Sequence, residues 1–191
     1  MNNTFIHPNR LRGYFSIGAE NISKPMNLGN LFRSAHAFGA NSVFTISPHK
    51  KVSNNMQAMN KSDTSKSTEH LPYYEWESVE KMQIPKGCEI VGIELLEDAK
   101  ELPSFRHPMR ATYVLGAEAG SLSESMIERC DHIIKIPTTF SINVAIAGAI
   151  VMYDRVRSLG KFPRPPVTSR GIEEEISEHL YGKSINLTHN R

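Results

Sequence analysis

The sequence predicts an α/β protein built on a mainly parallel sheet flanked by helices. Short runs rich in apolar and β-branched residues recur at 14–19, 42–46, 89–95, 111–115 and 132–136, and each has the length and composition of a strand. Helical patterns separate them, and strands alternating with helices pair in parallel through crossover connections. A chain of 191 residues suffices for one ordinary domain. It divides into a domain over 1–160 and a C-terminal tail over 161–191.

Three helices are expected. The first runs from Leu28 to about Phe38, with Asn27 as its N-cap and Gly39 where a left-handed turn ends a helix. Its apolar stripe, Leu28, Leu31, Phe32 and Ala35, has the spacing i, i+3, i+4, i+7. A shorter helix covers 123–129, where Ser121 and Glu124 have capping-box spacing. The third spans 143–158 and opens NVAIAGAIVMY, almost free of charge, so it should be buried inside the domain or against another subunit. The polar stretch 47–70 reads as a mobile or ligand-contacting loop with room for a short helix near Met56. Pro163 to Pro166 interrupt the chain, and 172–181 has the pattern of a terminal helix with an acidic first turn.

Composition excludes several classes. The 22 basic and 20 acidic residues nearly cancel, so any polyanionic partner must be met by local clusters of positive charge. Cys88 and Cys130 form no C-x-x-C pair and read as ordinary thiols in a reducing compartment. The N-terminus lacks the apolar core of a secretion signal, no run is apolar enough to span a bilayer, and a cytoplasmic location is expected. The histidines show no metal-ligand spacing, so no metal site is expected. No G-x-G-x-x-G follows any expected strand, which argues against a nicotinamide enzyme.

Three patterns stand where a strand or loop meets a helix. In NLGNLFRSAHAFGA, Arg33 lies about 140° around the helix from Leu28 and so points away from the core stripe. Gly29 in the first turn weakens the helix unless something approaches its backbone. LGAEAGSLSE sets Glu118 between two glycines after a strand, at the sheet edge where open α/β folds bind ligands. IPTTFSINVAIAGA brings Ser141 and Asn143 to the start of the small-residue helix. Taken singly, these are a solvated arginine, a polar turn and a helix cap.

In order and spacing, N-x-G-x-x-x-R, G-x-E and S-x-N-V-A-x-A closely resemble the three motifs of the SpoU (TrmH) family of RNA methyltransferases, of the SPOUT class. The resemblance covers residues 13 to 159 and is greatest to minimal members without an N-terminal RNA-binding domain. It implies a C-terminal trefoil knot, a homodimer with the active site near the subunit interface, and methyl transfer from S-adenosylmethionine to a ribose 2′-hydroxyl of RNA, tRNA before rRNA. By motif position it implies functional roles for Asn27, Arg33, Glu118, Ser141 and Asn143, and a cofactor slot at Ile93, Gly116, Ile136 and Ser141. The chain departs from the family once: the glycine usual three residues after the motif glutamate is Ser121, with Gly120 just before it, which shifts the turn by one residue.

A sulfonium donor disperses its charge in the transition state, so a dry slot suits the transfer. A guanidinium seldom gives up its proton, which favours Arg33 as an electrostatic clamp over direct base catalysis. Glu118, anionic like RNA, is better suited to ordering Arg33 or the Ser141 loop. RNA contacts are expected from Lys50, Lys51, Lys61 and Lys66, and from Arg155 and Arg157, which open a basic run continuing through Lys161, Arg164 and Arg170. Two rival readings are a base nitrogen as methyl acceptor and a non-catalytic RNA-binding protein of the same fold.

Overall fold

The computed structural model describes residues 13–53, 67–117 and 120–160. Among these, seven strands form one sheet: β1 (Tyr14–Glu20), β2 (Ser42–Ile46), β3 (Tyr73–Trp76), β4 (Glu89–Ile93), β5 (Lys100–Glu101), β6 (Arg110–Leu115) and β7 (His132–Lys135). Their order is β3-β2-β1-β6-β4-β7-β5, and every pairing is parallel. The helices are α1 (Pro25–Phe38), the single turn α2 (Lys50–Ser53), α3 (Glu124–Arg129) and α4 (Val144–Leu159). The five expected strands and three expected helices are all present, with ends moved by a few residues. The edge strands β3 and β5 were not expected; β5 has two residues, too few to leave a periodic signal. The short helix expected near Met56 and the terminal helix at 172–181 lie outside the described residues.

Two helix starts differ from expectation. Helix α1 begins at Pro25, and its capping residue, Lys24, makes no side-chain cap. Proline suits a first helical position because it brings no N–H to be satisfied and its φ is already helical. Asn27 therefore lies inside the first turn, its side chain available for another partner. Helix α3 is capped by Ser123, whose Oγ accepts from the Met126 N–H at 3.2 Å, and not through Ser121. At the other end of α1, Gly39 adopts φ +75° as expected.

Alternation along the strands divides the core between the two faces of the sheet. One face packs Phe15, Ile17, Tyr113 and Leu115 under α1 and α4. The other packs Phe44, Ile90 and Val114 under α3 and the segment around Val79 and Met82. Arg129 of α3 donates to the Val79 and Met82 carbonyls, holding that irregular segment against the helix. Helices α1 and α4 approach very closely. A Cβ on Gly148 would stand 2.6 Å from Leu31 Cδ1 and 3.2 Å from Leu115 Cδ1. Both cysteines are free thiols, and burial pushes Cys130 up to about 12.

The sequence expectation for Arg155 needs correction. It is 1% exposed, with its guanidinium donating to the carbonyls of Tyr14, Pro108 and Met109 and to the Tyr113 hydroxyl. Phe15 and Tyr113 present ring faces to it. Such a side chain holds the start of β1 and β6 together and has no surface left for RNA.

This cation begins a buried chain of polar groups. Arg155 donates to Tyr113 Oη, which lies 2.6 Å from His107 Nδ1, and His107 Nε2 lies 3.0 Å from Asp154 Oδ2. An ionised carboxylate only accepts, so Nε2–H donates to Asp154 and Nδ1 accepts from the tyrosine. Every link is satisfied by a neutral imidazole. Burial lowers the His107 pKa, and the Asp154 hydrogen bond only partly offsets this. The unfolded chain then binds more protons than the folded one in acid. This contribution to stability is complete above the ordinary histidine range and is lost as pH falls through the lowered pKa. Urea unfolding from pH 7 to 5 should show stability falling more steeply in the wild type than in His107→Gln, which does not titrate; equal slopes would contradict it.

Candidate functional site

Three adjacent strands end together. In the register of the sheet Ile93 is paired with both Leu115 and Ile134, so the segments leaving β4, β6 and β7 emerge side by side. Between them and the start of α4 lies a cleft of about 420 Å³. Ile93, Gly116 and Ile136 line its strand side; Asn27, Ser141 and Asn143 line its helix side. Six residues expected from sequence, separated by up to 116 positions, thus border one cavity. Its position at the carboxyl edge of a parallel sheet is where open α/β folds bind ligands.

Asn143 organises the helix side. Its Oδ1 caps α4, accepting from the N–H groups of Ala145 at 2.9 Å and Ile146 at 3.4 Å. Its Nδ2 donates to Asn27 Oδ1 at 3.0 Å. The two helix starts are thereby tied across the mouth of the cleft. The cap expected of Asn143 and its place in the site are one arrangement.

On the strand side two carboxylates hold the turn that follows Gly120. Glu94, one residue past β4, accepts from Leu122 N–H at 2.8 Å and from its neighbour Leu95 N–H at 2.9 Å. Glu20, buried at the end of β1, accepts from Ser123 N–H at 2.9 Å. Gly116 permits this packing, because a Cβ there would meet Glu94 Oε2 at 3.0 Å and Leu122 N at 3.2 Å. Sequence reasoning missed Glu94 and Glu20. Each is a lone acid at a strand end, recognisable only once the turn is folded over it.

Arg33 does not line the cleft. It is exposed on α1, in an adjoining shallow groove of about 580 Å³ with Ile146, Ile150 and Tyr153, and Asn143 borders both spaces. Gly29 is buried on α1. Lys50 and Lys51 are exposed on α2, just past β2 and on the cleft side of the sheet, where His49 N–H donates to Ile22 O at 3.0 Å. Arg157 is exposed in the last turn of α4, about 20 Å along that helix from Asn143 at 1.5 Å per residue. Glu118, Lys61 and Lys66 lie outside the described residues, as do Lys161, Arg164 and Arg170.

A parallel α/β sheet with a polar-mouthed cleft at its carboxyl edge, framed by an asparagine pair and a glycine turn, defines a ligand-binding α/β protein. The chain belongs to the SpoU rRNA methylase family, whose model matches residues 14–153. An uncharacterised tRNA/rRNA methyltransferase of Synechocystis sp. is 30% identical over 167 residues, 83% of this chain and 42% of that protein. The chain spans about half the length, or less, of the curated relatives it matches. Among solved structures, the rRNA methyltransferase of Sinorhizobium meliloti with AdoMet bound aligns at a TM-score of 0.67 and 22% identity, covering 81% of this chain and 59% of that one. A structure described as giving insights into 2-OH methylation of C/U34 on tRNA aligns at 0.66 and 22%, covering 78% and 97%. These two likenesses establish the shared fold.

If Asn143 both caps α4 and ties it to α1, Asn143→Ala should cost about 1–2 kcal/mol. Asn143→Ser keeps a capping oxygen but cannot reach Asn27, and should restore about half of that. Chemical denaturation of the three proteins measures both differences, and equal stability of the serine and alanine variants would contradict the cap.

Proposed function

We propose that this chain transfers the methyl group of S-adenosylmethionine to a ribose 2′-hydroxyl of RNA, tRNA before rRNA, as a cytoplasmic homodimer with the family's C-terminal knot. The observation that carries this reading is the meeting of Asn27, Gly116, Ser141 and Asn143 around one cleft, with Arg33 in the groove that Asn143 shares. The cleft fits the donor: its volume suits a ligand of that size, and Gly116 lines it without a side chain. Ile93, Leu115 and Ile136 would hold the adenosine part, with Lys24, Ser141 and Asn143 towards its charged amino-acid end. The solved relative with AdoMet bound and the one concerned with 2-OH methylation of tRNA support donor and acceptor.

When bound, the donor would supply an electrophilic methyl carbon to the hydroxyl oxygen, with the carbon–sulfur pair returning to sulfur and the hydroxyl proton passing to solvent water. The chain's part is to exclude water from the donor and to orient the acceptor. Arg33, as a cation in the adjoining groove, would clamp a phosphate and polarise the hydroxyl beside it. Lys50 and Lys51, on the cleft side of the sheet, would meet the phosphate backbone.

The groove around Arg33 also supports the dimer. Ile146, Ile150 and Tyr153 form an exposed stripe at i, i+4, i+7 on α4, and Phe140 before it is 75% exposed. Apolar side chains so arranged mark a contact surface, and a second subunit there would enclose Arg33.

Three experiments test the reading. Mapping 2′-O-methylated nucleotides in RNA from cells with and without the protein should reveal a position that loses its methyl group. Restoring activity with Arg33→Lys should leave kcat/KM at least about tenfold down, because an ammonium lacks the planar fork; a methylated base, or no change in RNA, would overturn the reading. Separately, Ile146→Lys should convert a dimer to a monomer in light scattering, and a wild type that is already monomeric would refute the interface.

A further inference from the structure

We propose that Glu94 makes the cleft prefer the cationic methyl donor over the neutral product left after transfer. The proposal rests on the cleft being the S-adenosylmethionine site. Glu94 belongs to none of the three sequence patterns, yet it lines the cavity between Ile93 and Leu95. Its carboxylate is held in place by two backbone N–H groups, at 2.8 Å from Leu122 and 2.9 Å from Leu95. It cannot swing into solvent without releasing the turn that closes the cleft.

The surroundings magnify its charge. Ile93, Leu115, Ile136, Val144 and Ala147 supply much of the wall, and apolar walls weaken screening. Glu94 lies on the lining itself, so its carboxylate faces the space that a bound ligand would fill. Among the described residues the other charged group on the lining is Lys24, on the helix side beside Asn27.

S-adenosylmethionine and S-adenosylhomocysteine share adenine, ribose, ammonium and carboxylate. They differ in one methyl group and in the positive charge on sulfur. A fixed carboxylate therefore favours the first over the second, drawing donor in and letting product leave. Lys24 would pair with the carboxylate that both ligands carry, so that contact cancels in the comparison and its own charge is neutralised there.

Calorimetric titration of the full chain with each ligand tests this. Glu94→Gln keeps the shape and one oxygen to accept an N–H but removes the charge. S-adenosylmethionine should then lose about tenfold more affinity than S-adenosylhomocysteine, because any slackening of the turn weakens both alike. Glu20→Gln slackens the same turn from outside the cleft lining, so it should weaken both ligands by the same factor. In the wild type, the preference for the donor should narrow as salt is raised to molar levels, a measurement that needs no variant to fold. Equal loss of both ligands in Glu94→Gln, or a preference insensitive to salt, would overturn the role of Glu94 while leaving the cofactor reading intact. A wild type that binds neither ligand would overturn the cofactor reading itself.

Discussion

The side chain of Asn143 is the constraint on which the site depends. One amide caps the first turn of α4 with its oxygen and reaches Asn27 on α1 with its nitrogen. It fixes where two helices begin relative to each other, and the cleft opens between those beginnings. The close approach behind it is possible because Gly148 presents no side chain to Leu31. A larger residue there would push α4 off α1 and draw Asn143 out of reach of Asn27. Packing deep in the domain thereby sets polar geometry at its edge.

The opposite wall is built from charge. Parallel strands end with unpaired backbone groups, and the turn after Gly120 brings N–H donors over the ends of β1 and β4. Glu20 and Glu94 satisfy two of these donors from below. A carboxylate accepting backbone N–H groups forms a strong, oriented contact, which explains how a turn with Ser121 in place of the family's usual glycine is held. The same contacts leave a fixed negative charge on a surface otherwise rich in aliphatic side chains, so structural support and ligand electrostatics are inseparable at Glu94.

Basic residues divide according to their surroundings. Arg155 and Arg157 are neighbours in a run that looks uniform in sequence. Two positions apart on a helix they point in different directions, about 200° around the axis. Arg155 faces the sheet, where carbonyls at the starts of β1 and β6 and two aromatic rings consume its charge. Arg157 faces solvent. Arg33 is exposed too, beside the apolar stripe Ile146, Ile150 and Tyr153.

The sequence by itself determined the sheet and its principal helices, because those follow from local periodicity: the stripe Leu28, Leu31, Phe32 and Ala35 is buried as its spacing requires. It also marked Asn27, Gly116, Ser141 and Asn143, whose motifs sit at strand ends and helix starts. Tertiary structure alone decided the rest. Glu94 and Glu20 gain meaning from N–H groups 28 and 103 residues away, and Arg155 from carbonyls up to 141 residues away. Periodicity is a property of neighbours in the chain, whereas the partner of a charge is chosen by the fold.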